Sequence, residues 1–376
     1  DQFQTWPGYA LKEIETVARV LPFKTNNYVV DELSDWNNIP HDPMYTLNFP
    51  RRDLLKAAHW GRLAKAVEKE VPEHDLKAIA RAIQMELNPD PSNQSANVPL
   101  LHGHRVSGAQ HKYRETVLFF PQAGQTCHAY CTFCFRWPQF SGLSQSRFSG
   151  QDSQLLADYL KIHPKVTDLL ITGGDPMVMK AQTLANYLEP FLTQDLEHLK
   201  TIRIGTKSLS YWPYRYLTDP DSDEVLRLFE RIVESGRTLS IMAHFNHPVE
   251  LSTEAVRKAI KRIQATGAQI RTQSPLLRHI NDKPELWAEM WRKQVDLNCI
   301  PYYMFVERDT GAKHFFAVPL ERCWHIFREA YQRVSGLCRT VRGPTMSATP
   351  GKVQIMGVTE VEGEKVFVLT FIQGRN

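Results

Sequence analysis

Apolar residues in the first hundred positions recur every three or four residues, as on one face of an α-helix. Three segments carry this spacing: LKEIETVARVL (11–21), RRDLLKAAHWGRLAKAVEKEV (51–71) and HDLKAIARAIQMEL (74–87). A connector rich in Pro, Asn and Asp, NNIPHDP (37–43), separates the first two, and NPDPSNQSANVP (88–99) follows the third. Such polar stretches are typical of loops. The pattern predicts a helical amino-terminal region over residues 1–100.

From about residue 115 the pattern changes to short β-rich runs. Six of them follow one another: TVLFF (116–120), DLLIT (168–172), TIRIGT (201–206), LSIMAHF (239–245), QIRTQS (269–274) and CIPYYMF (299–305). Helical segments fill most of the intervals, for example SDEVLRLFERIVESG (222–236) and TEAVRKAIKRIQATG (253–267), and both end in glycine, as helices often do. Strands and helices that alternate at this period indicate βα units and a parallel sheet.

Six βα units predict an α/β fold of the incomplete (β/α)6 barrel type, with fewer units than the eight of a full barrel. An open doubly wound sheet is the alternative, and the periodicity alone does not distinguish the two. We expect a partial barrel over residues 101–335 and a short carboxyl-terminal segment over residues 336–376. In either architecture the functional residues gather at the carboxyl ends of the strands.

The first predicted strand is followed by CHAYCTFC (127–134), in which Cys127, Cys131 and Cys134 have the spacing C-x3-C-x2-C. A lone cysteine is usually a small core residue, but packing explains three clustered ones poorly. Zinc would need a fourth ligand such as His128, and structural zinc sites usually have two pairs of ligands. A four-iron cluster held by three thiolates leaves one iron open for another ligand, which favours catalysis over electron transfer. The other cysteines are predicted core residues: Cys299, Cys323 and Cys338.

This cysteine spacing, with an aromatic residue before the last cysteine and a strand just ahead, resembles the radical S-adenosylmethionine enzymes. The resemblance implies a [4Fe–4S] cluster whose open iron binds S-adenosylmethionine, and a reductive cleavage that yields a deoxyadenosyl radical. It also implies that Gly173, Gly174 and Asp175, after the second strand, bind the amino group of that cofactor. Without the resemblance, Gly-Gly-Asp is equally typical of a tight turn.

Further segments resemble, in chain order, lysine 2,3-aminomutase and its relatives within that superfamily. They are IPHDP (39–43), HKYRETV (111–117), TIRIGTKS (201–208), AHFNHPVEL (243–251), TQSPLLRHINDK (272–283), PYYMF (301–305) and PTMSATPGK (344–352). This resemblance implies pyridoxal 5′-phosphate as a second cofactor, bound as a Schiff base to Lys352 after the turn at Gly351. Taken alone, a lysine after Thr-Pro-Gly is most often an exposed loop residue.

The family pattern gives roles to other side chains as well. Arg136 matches the arginine that binds the substrate α-carboxylate, a task suited to the two-pronged guanidinium. Asp282 matches an aspartate that contacts the distal amino group of lysine. Three further matches concern the cofactors: His244 and Gln273 near S-adenosylmethionine, and Lys112 near pyridoxal phosphate. Lys207, just after the third strand, is a candidate anion-binding residue.

Two departures from the family pattern bear on the substrate and on metal content. Lysine 2,3-aminomutase has a second aspartate shortly before the glycine turn, where this chain has Ser347, Ala348 and Thr349. Removing half of a buried charge pairing typically costs several kcal/mol, so the pattern does not support lysine as the substrate. The cysteine-rich carboxyl tail that binds structural zinc in some members is also absent from this sequence.

Composition narrows the possible partners and location. The net charge is +4, from 45 basic and 41 acidic residues, which gives no reason to expect binding to nucleic acid or to a membrane. The longest apolar runs, such as VFVLTFI (366–372), are shorter than the roughly 20 residues that span a bilayer. No secretory signal is evident in the sequence, which begins at Asp1, and clustered cysteines suit a reducing compartment. We expect a cytoplasmic protein.

Our main hypothesis is an amino-acid 2,3-aminomutase-like enzyme that uses both cofactors and moves an amino group from Cα to Cβ. The resemblance implies a small-molecule amino-acid substrate, an electron donor such as flavodoxin or ferredoxin, and a homo-oligomer. One alternative keeps the radical chemistry but changes the substrate or the outcome of the radical reaction. A second, of a different class, is a metal-stabilised binding protein without turnover.

Overall fold

A computed structural model describes residues 8–88, 97–142, 148–348 and 351–374. The predicted helical region contains α1 (Gly8–Ala18), α2 (Pro43–Asn48), α3 (Ala57–Glu68) and α4 (Glu73–Leu87), with a π-helical turn at Val29–Leu33. The carboxylate of Asp42 accepts a hydrogen bond from the backbone N–H of Tyr45 and so caps α2, inside the connector predicted as a loop. Most of the second predicted connector, residues 89–96, lies outside the described residues.

The six predicted strands are all present in one sheet. They are β4 (Thr116–Phe119), β5 (Asp168–Ile171), β6 (Thr201–Thr206), β7 (Thr238–His244), β8 (Gln269–Leu276) and β9 (Ile300–Val306), each parallel to the next. The longer connecting helices are α5 (Ser153–Lys161), α6 (Ala181–Leu188), α8 (Ser222–Glu234), α9 (Glu254–Ala265) and α10 (Pro284–Asp296). Three others are α7 (Ser208–Tyr211), α11 (Lys313–Phe316) and α12 (Leu320–Gln332). The predicted α/β fold with repeated βα units is confirmed.

The sheet extends beyond the six βα units on both sides. Strand β3 (Ala109–Tyr113) pairs antiparallel with β4, and β10 (Arg342–Ala348) pairs parallel with β9. The chain then returns antiparallel as β11 (Gly351–Val361) and β12 (Glu364–Gly374). The carboxyl-terminal segment thus continues the barrel sheet. A separate hairpin is formed by β1 (Leu100–Leu101) and β2 (His104–Arg105).

The strand order β12-β11-β10-β9-β8-β7-β6-β5-β4-β3 describes an open sheet, because β3 and β12 are its two ends. The sheet nevertheless curves, since the Lys352 ammonium on β11 lies 5.9 Å from the ring centre of Tyr113 on β3. A curved sheet that stays open is what an incomplete barrel requires.

The burial of alternate side chains along the strands distinguishes the two faces of the sheet. In β6 the side chains of Ile202 and Ile204 are fully buried, whereas Arg203 between them is partly exposed. Alternate residues of a strand point to opposite faces, so the apolar set packs against the helices and the other set faces the concave side. No helix of the described residues is long and apolar enough to cross a membrane.

Candidate functional site

The three clustered cysteines lie between β4 and α5, where the chain leaves the carboxyl end of the first parallel strand. Cys127, Cys131 and Cys134 are half-buried, and none forms a disulfide. Burial raises the pKa of all three thiols, to about 12 for Cys131; Cys134 further raises the pKa of both Cys127 and Cys131, and Cys131 raises that of Cys127. The three sulfur atoms therefore share one poorly solvated site. By contrast Cys299, Cys323 and Cys338 are buried core residues, as predicted.

The helical amino-terminal region fixes the backbone of this cysteine loop. The N–H of Tyr130 donates to the carbonyl of Lys24 at 2.8 Å, and the N–H of Thr132 donates to the carbonyl of Leu47 at 2.9 Å. The amide of Asn26 donates to the carbonyl of His128 at 3.3 Å. These contacts were not foreseen from the sequence, because hydrogen bonds between segments more than 80 residues apart leave no periodic signal.

The Gly-Gly turn after β5 approaches the segment just before Cys127. A Cβ atom added to Gly174 would lie 2.6 Å from the backbone nitrogen of Thr126 and 2.7 Å from its carbonyl carbon, closer than non-bonded atoms can pack. The N–H of Asp175 donates to the carbonyls of Gly124 and Thr126. Glycine is needed here for close approach, and the turn holds the start of the cysteine loop.

The Asp175 carboxylate is buried and links the ends of two strands. It accepts hydrogen bonds from the Thr206 hydroxyl at 2.7 Å and from the backbone N–H groups of Met177 and Lys207, both at 2.9 Å. Burial raises its pKa to about 6, although these hydrogen bonds act in the opposite direction. With its side chain engaged in this way, the Gly-Gly-Asp turn presents backbone groups rather than a free carboxylate.

The donor set fits an iron–sulfur cluster better than a single metal ion. Among the described residues, no three His, Cys, Asp or Glu side chains converge closely enough to bind one ion. In an iron–sulfur cluster each thiolate binds a different iron atom, so the three sulfurs need not converge. His128, the alternative zinc ligand, forms no such group with the cysteines. Three thiols that share a sheltered loop match the chemistry of the cluster.

Behind the cysteines lies a buried polar network. The Cys131 sulfur is 3.7 Å from the hydroxyl of Tyr211, and the Lys207 ammonium is 4.3 Å from the centre of the Tyr211 ring. Lys207 donates to the carboxylate of Glu250 at 2.5 Å and to the side-chain oxygen of Asn246 at 2.9 Å. The predicted anion-binding residue therefore already has an internal anion, and Glu250 was missed because a single Glu after HPV carries no signal.

His244 and Gln273, predicted to lie near the same cofactor, are adjacent across β7 and β8. The Gln273 amide nitrogen is 2.7 Å from His244 Nε2. Burial and the charge of Lys207 lower the pKa of His244 to about 3, so its ring is neutral and Nε2 can accept the amide proton. The pair places two polar groups side by side, at the last residue of β7 and within β8.

Arg136 follows the last cysteine and has an unsatisfied donor. Its guanidinium carbon lies 4.4 Å from the ring centre of Phe120 and 5.2 Å from that of Phe135. Its Nη1 atom is buried and has no hydrogen-bond partner in the described part of the chain. Burial lowers its pKa to about 10, and the charge of Arg308 acts in the same direction. A buried guanidinium with an unused donor is suited to an anionic ligand.

Lys352 lies on strand β11 rather than in a loop, where its register partner on β10 is Ser347. Its ammonium is 4.5 Å from the ring centre of Tyr303 and 5.9 Å from that of Phe305. Burial, with the charges of Arg203, Arg342 and Arg308, lowers its pKa to about 8. Gly351, before it, has φ +151° and would place a Cβ 3.0 Å from the Cα of Gly374.

Two predicted residues are connected with this site less directly. Lys112 lies on β3 next to Tyr113, whose ring is close to Lys352. Asp282 is partly exposed in the turn after β8, and its charge acts on the pKa of His279. Their roles, like those of the other predicted site residues, stay predictions. The sequence reasoning missed Arg308 and Tyr303, because only the pairing of β9 with β10, and of β10 with β11, brings them near Lys352.

Comparison with known proteins gives a consistent picture. The chain is 32% identical over 355 residues to a protein of Aquifex aeolicus (strain VF5) provisionally named an L-lysine 2,3-aminomutase, covering 94% of this chain and 82% of that protein. It is 27% identical over 304 residues to the L-lysine 2,3-aminomutase of Methanococcus maripaludis, covering 81% of this chain and 59% of that enzyme. No family model matches the chain.

Among solved structures, the chain is similar to a radical SAM methyltransferase from Sphaerobacter thermophilus, with a TM-score of 0.41 and 14% identity. That similarity covers 62% of this chain and 67% of the methyltransferase chain.

Proposed function

This chain belongs to the lysine 2,3-aminomutase family of radical S-adenosylmethionine enzymes, and on that premise we propose that it is a pyridoxal phosphate-dependent amino-acid 2,3-aminomutase. Its reaction moves the amino group of a small amino acid from Cα to Cβ. Cys127, Cys131 and Cys134 hold a [4Fe–4S] cluster, and Lys352 holds pyridoxal phosphate. The turn at Gly173, Gly174 and Asp175, together with His244 and Gln273, contacts S-adenosylmethionine.

The observation that carries this proposal is a series of contacts that runs from the cysteine loop to Lys352. The guanidinium carbons of Arg136 and Arg308 lie 5.2 Å and 4.6 Å from the ring centre of Phe135, the residue that follows Cys134. Arg308 Nη2 donates to the hydroxyl of Ser347 at 3.2 Å, and Ser347 is the register partner of Lys352. These contacts support a substrate site that lies between the cysteine loop and the lysine.

When bound, S-adenosylmethionine on the cluster supplies a radical that removes a hydrogen atom, and pyridoxal phosphate supplies an aldehyde that captures the amine and a ring system that delocalises the unpaired electron. The protein positions the reactants and excludes water. Arg136 binds the α-carboxylate through its unused Nη1 donor, and so orients the Cα–Cβ bond of the substrate. The aromatic rings of Phe120 and Phe135 beside it shield that ion pair from solvent.

Lys352 has the properties of a lysine that can bind an aldehyde covalently and release it again. Only a neutral amine attacks an aldehyde, and a pKa of about 8 leaves a substantial neutral fraction at physiological pH. The rings of Tyr303 and Phe305 line the approach to its ammonium. Because Lys352 lies on a strand paired on both sides, its backbone would be held in place whether or not its side chain carries the cofactor.

The first test is anaerobic reconstitution with iron and sulfide, followed by assays with S-adenosylmethionine, a reductant and an amino acid. We expect about four irons per chain, cleavage of S-adenosylmethionine and a β-amino acid product. Alanine at Cys127, Cys131 or Cys134 should remove the cluster, whereas Cys338→Ala should retain it. A product other than a β-amino acid would refute amino migration, and a protein that binds only zinc would refute the radical chemistry.

The second test concerns pyridoxal phosphate alone. Borohydride reduction of the loaded protein, followed by peptide mass spectrometry, should locate the cofactor on Lys352. The variant Lys352→Ala should show no attachment at this site but should still bind the iron–sulfur cluster. Attachment to a different lysine, or equal attachment in the variant, would remove the second cofactor from the proposal.

A further inference from the structure

Tyr211 lies behind the cysteine loop, with its hydroxyl next to one of the three sulfur atoms. The distance from the Cys131 sulfur to this hydroxyl is 3.7 Å, which is a hydrogen-bond distance for the larger sulfur atom. The tyrosine is only 1% exposed, so its hydroxyl is sheltered from bulk water. A buried phenol usually has a hydrogen-bond partner, and here the sulfur is one.

The single proton of the Tyr211 hydroxyl is directed to that sulfur. Burial raises the pKa of Tyr211 well above its ordinary value, and a hydrogen bond with Asn48 acts in the opposite direction. A hydrogen bond that favours the ionised phenol is one donated to its oxygen, so Asn48 acts as a donor and does not use the hydroxyl proton. A cysteine thiolate that binds iron has no proton of its own and can only accept.

The backbone of Tyr211 is tied to the cysteine loop. Tyr211 is the last residue of α7, and its N–H donates to the carbonyl of Lys207 at 2.9 Å. Its own carbonyl accepts a hydrogen bond from the Asn26 amide at 3.0 Å, and the same amide donates to the carbonyl of His128 at 3.3 Å. Asn26 therefore joins the end of α7 to the loop and helps to keep the phenol beside the sulfur.

A buried cation lies against the Tyr211 ring. The Lys207 ammonium is 4.3 Å from the ring centre, and it is held there by hydrogen bonds to Glu250 at 2.5 Å and to Asn246 at 2.9 Å. A cation close to the ring is attracted to its π electrons and polarises the phenol. The polarised hydroxyl is a stronger donor, and the effect is larger in a poorly solvated network than in water.

We propose that Tyr211 donates a hydrogen bond to the Cys131 thiolate and thereby raises the reduction potential of the iron–sulfur cluster. The inference rests on the proposed role of the three cysteines and adds a residue that the sequence analysis did not assign. Hydrogen bonds to the cysteine sulfurs are among the features that set the potential of such clusters. Reduction adds one electron, supplied by the external electron donor, and a donor to the sulfur stabilises the added negative charge. Tyr211 acts through Cys131 and makes the reduction easier.

The test is a redox titration of the anaerobically reconstituted protein with dithionite, followed by electron paramagnetic resonance. We expect Tyr211→Phe to retain its iron but, at one fixed potential, to lower the ratio of reduced to oxidised cluster about tenfold, a shift of about 59 mV to more negative potential for a one-electron couple. Replacing Tyr211 by 3-fluorotyrosine, a stronger donor, should shift the ratio in the opposite direction. Tyr28→Phe is the matched control, because it removes a similarly buried hydroxyl that bonds Thr253 at 2.7 Å, and it should keep the wild-type ratio.

Three results would overturn the inference: a wild-type ratio in Tyr211→Phe, an equal shift in Tyr28→Phe, or a 3-fluorotyrosine shift of the same sign as that of Tyr211→Phe. Iron content and thermal unfolding verify that each variant is folded. If Tyr211→Phe loses the cluster, the 3-fluorotyrosine protein decides the question, because it keeps the hydroxyl. A wild-type chain that binds no iron–sulfur cluster refutes the proposed ligands, whereas a full cluster with one common potential in every variant refutes the role of Tyr211 alone.

Discussion

The Nζ atom of Lys352 lies 4.5 Å from the centre of the Tyr303 ring, on the concave side of the sheet. The contact places a charged amine in a poorly solvated position among three arginines that act on it, which lowers its pKa to about 8. The ring face of Tyr303 attracts the protonated form but does not outweigh burial. This position has a direct consequence for the pH dependence of cofactor attachment.

We expect the rate at which pyridoxal phosphate attaches to Lys352 to rise about tenfold per pH unit below pH 8 and to level off above it. The sign follows from the lowered pKa, since the reactive neutral amine predominates above pH 8 and is scarce below it. Stopped-flow absorbance at constant cofactor concentration measures this rate. A rate that keeps rising towards the ordinary lysine pKa of about 10.4 would show that the amine is not sheltered.

Gly174 should not tolerate a side chain. In Gly174→Ala the new Cβ would overlap the backbone of Thr126, so the start of the cysteine loop must shift. We expect the iron content after reconstitution to fall by more than half and the free energy of unfolding to fall by about 1–3 kcal/mol. Gly61→Ala on α3 is the control, because nothing lies within 4 Å of its added Cβ, and it should leave iron content unchanged. Equal iron content in both variants would contradict this account.

Replacement of Arg136 separates substrate binding from cluster binding. Arg136→Gln removes the charge that binds the α-carboxylate, and we expect kcat/KM to fall by at least a hundredfold, a loss of about 2.7 kcal/mol in transition-state stabilisation. Arg136→Lys keeps the positive charge but lacks the two-pronged geometry of a guanidinium, and it should retain part of the activity. The iron content of both variants should match that of the wild type. A normal kcat/KM in Arg136→Gln would assign the α-carboxylate to a different residue.

The sheet could be predicted from the sequence because its signals are local. The run TIRIGT and its five counterparts became β4 to β9, since β-rich segments that alternate with amphipathic helices leave few other arrangements. The motif residues were also found locally, because Cys127, Cys131 and Cys134 lie within eight residues of sequence.

What the sequence did not reveal depends on contacts between distant segments. The resemblance placed Lys352 after a glycine turn, but the sequence did not reveal that this lysine lies on β11, because β10 and β11 extend the barrel sheet beyond the βα units. Arg308 gave no signal, since its importance comes from its nearness to Phe135 and Ser347, which lie far from it in sequence. The hydrogen bonds from Tyr130 and Thr132 to the carbonyls of Lys24 and Leu47 likewise join segments that lie far apart in sequence.

Lys207 and Glu250 provide a final test, because sequence and geometry assign Lys207 different tasks. If Lys207 binds a cofactor anion, as the sequence analysis predicts, its side chain should contribute to cofactor affinity and contribute little to the free energy of unfolding. In the structure its side chain is 12% exposed and pairs with a fully buried Glu250, whose carboxylate also accepts from Ser210 and from the N–H groups of Asn246 and His247. Removing one partner leaves an uncompensated buried charge, which typically costs about 3–5 kcal/mol.

We therefore expect Lys207→Met and Glu250→Gln each to lower the free energy of unfolding by about 3 kcal/mol. Lys207→Met should be the worse of the two, because the Glu250 carboxylate that it leaves unpaired is fully buried, whereas the Lys207 side chain is 12% exposed. The double variant should lose less than the sum of the single losses, since neither charge is then left alone. Urea unfolding of the reconstituted protein under anaerobic conditions measures all three. If Lys207→Met unfolds as the wild type does but binds S-adenosylmethionine or pyridoxal phosphate more weakly, Lys207 binds a cofactor anion and its pairing with Glu250 is secondary.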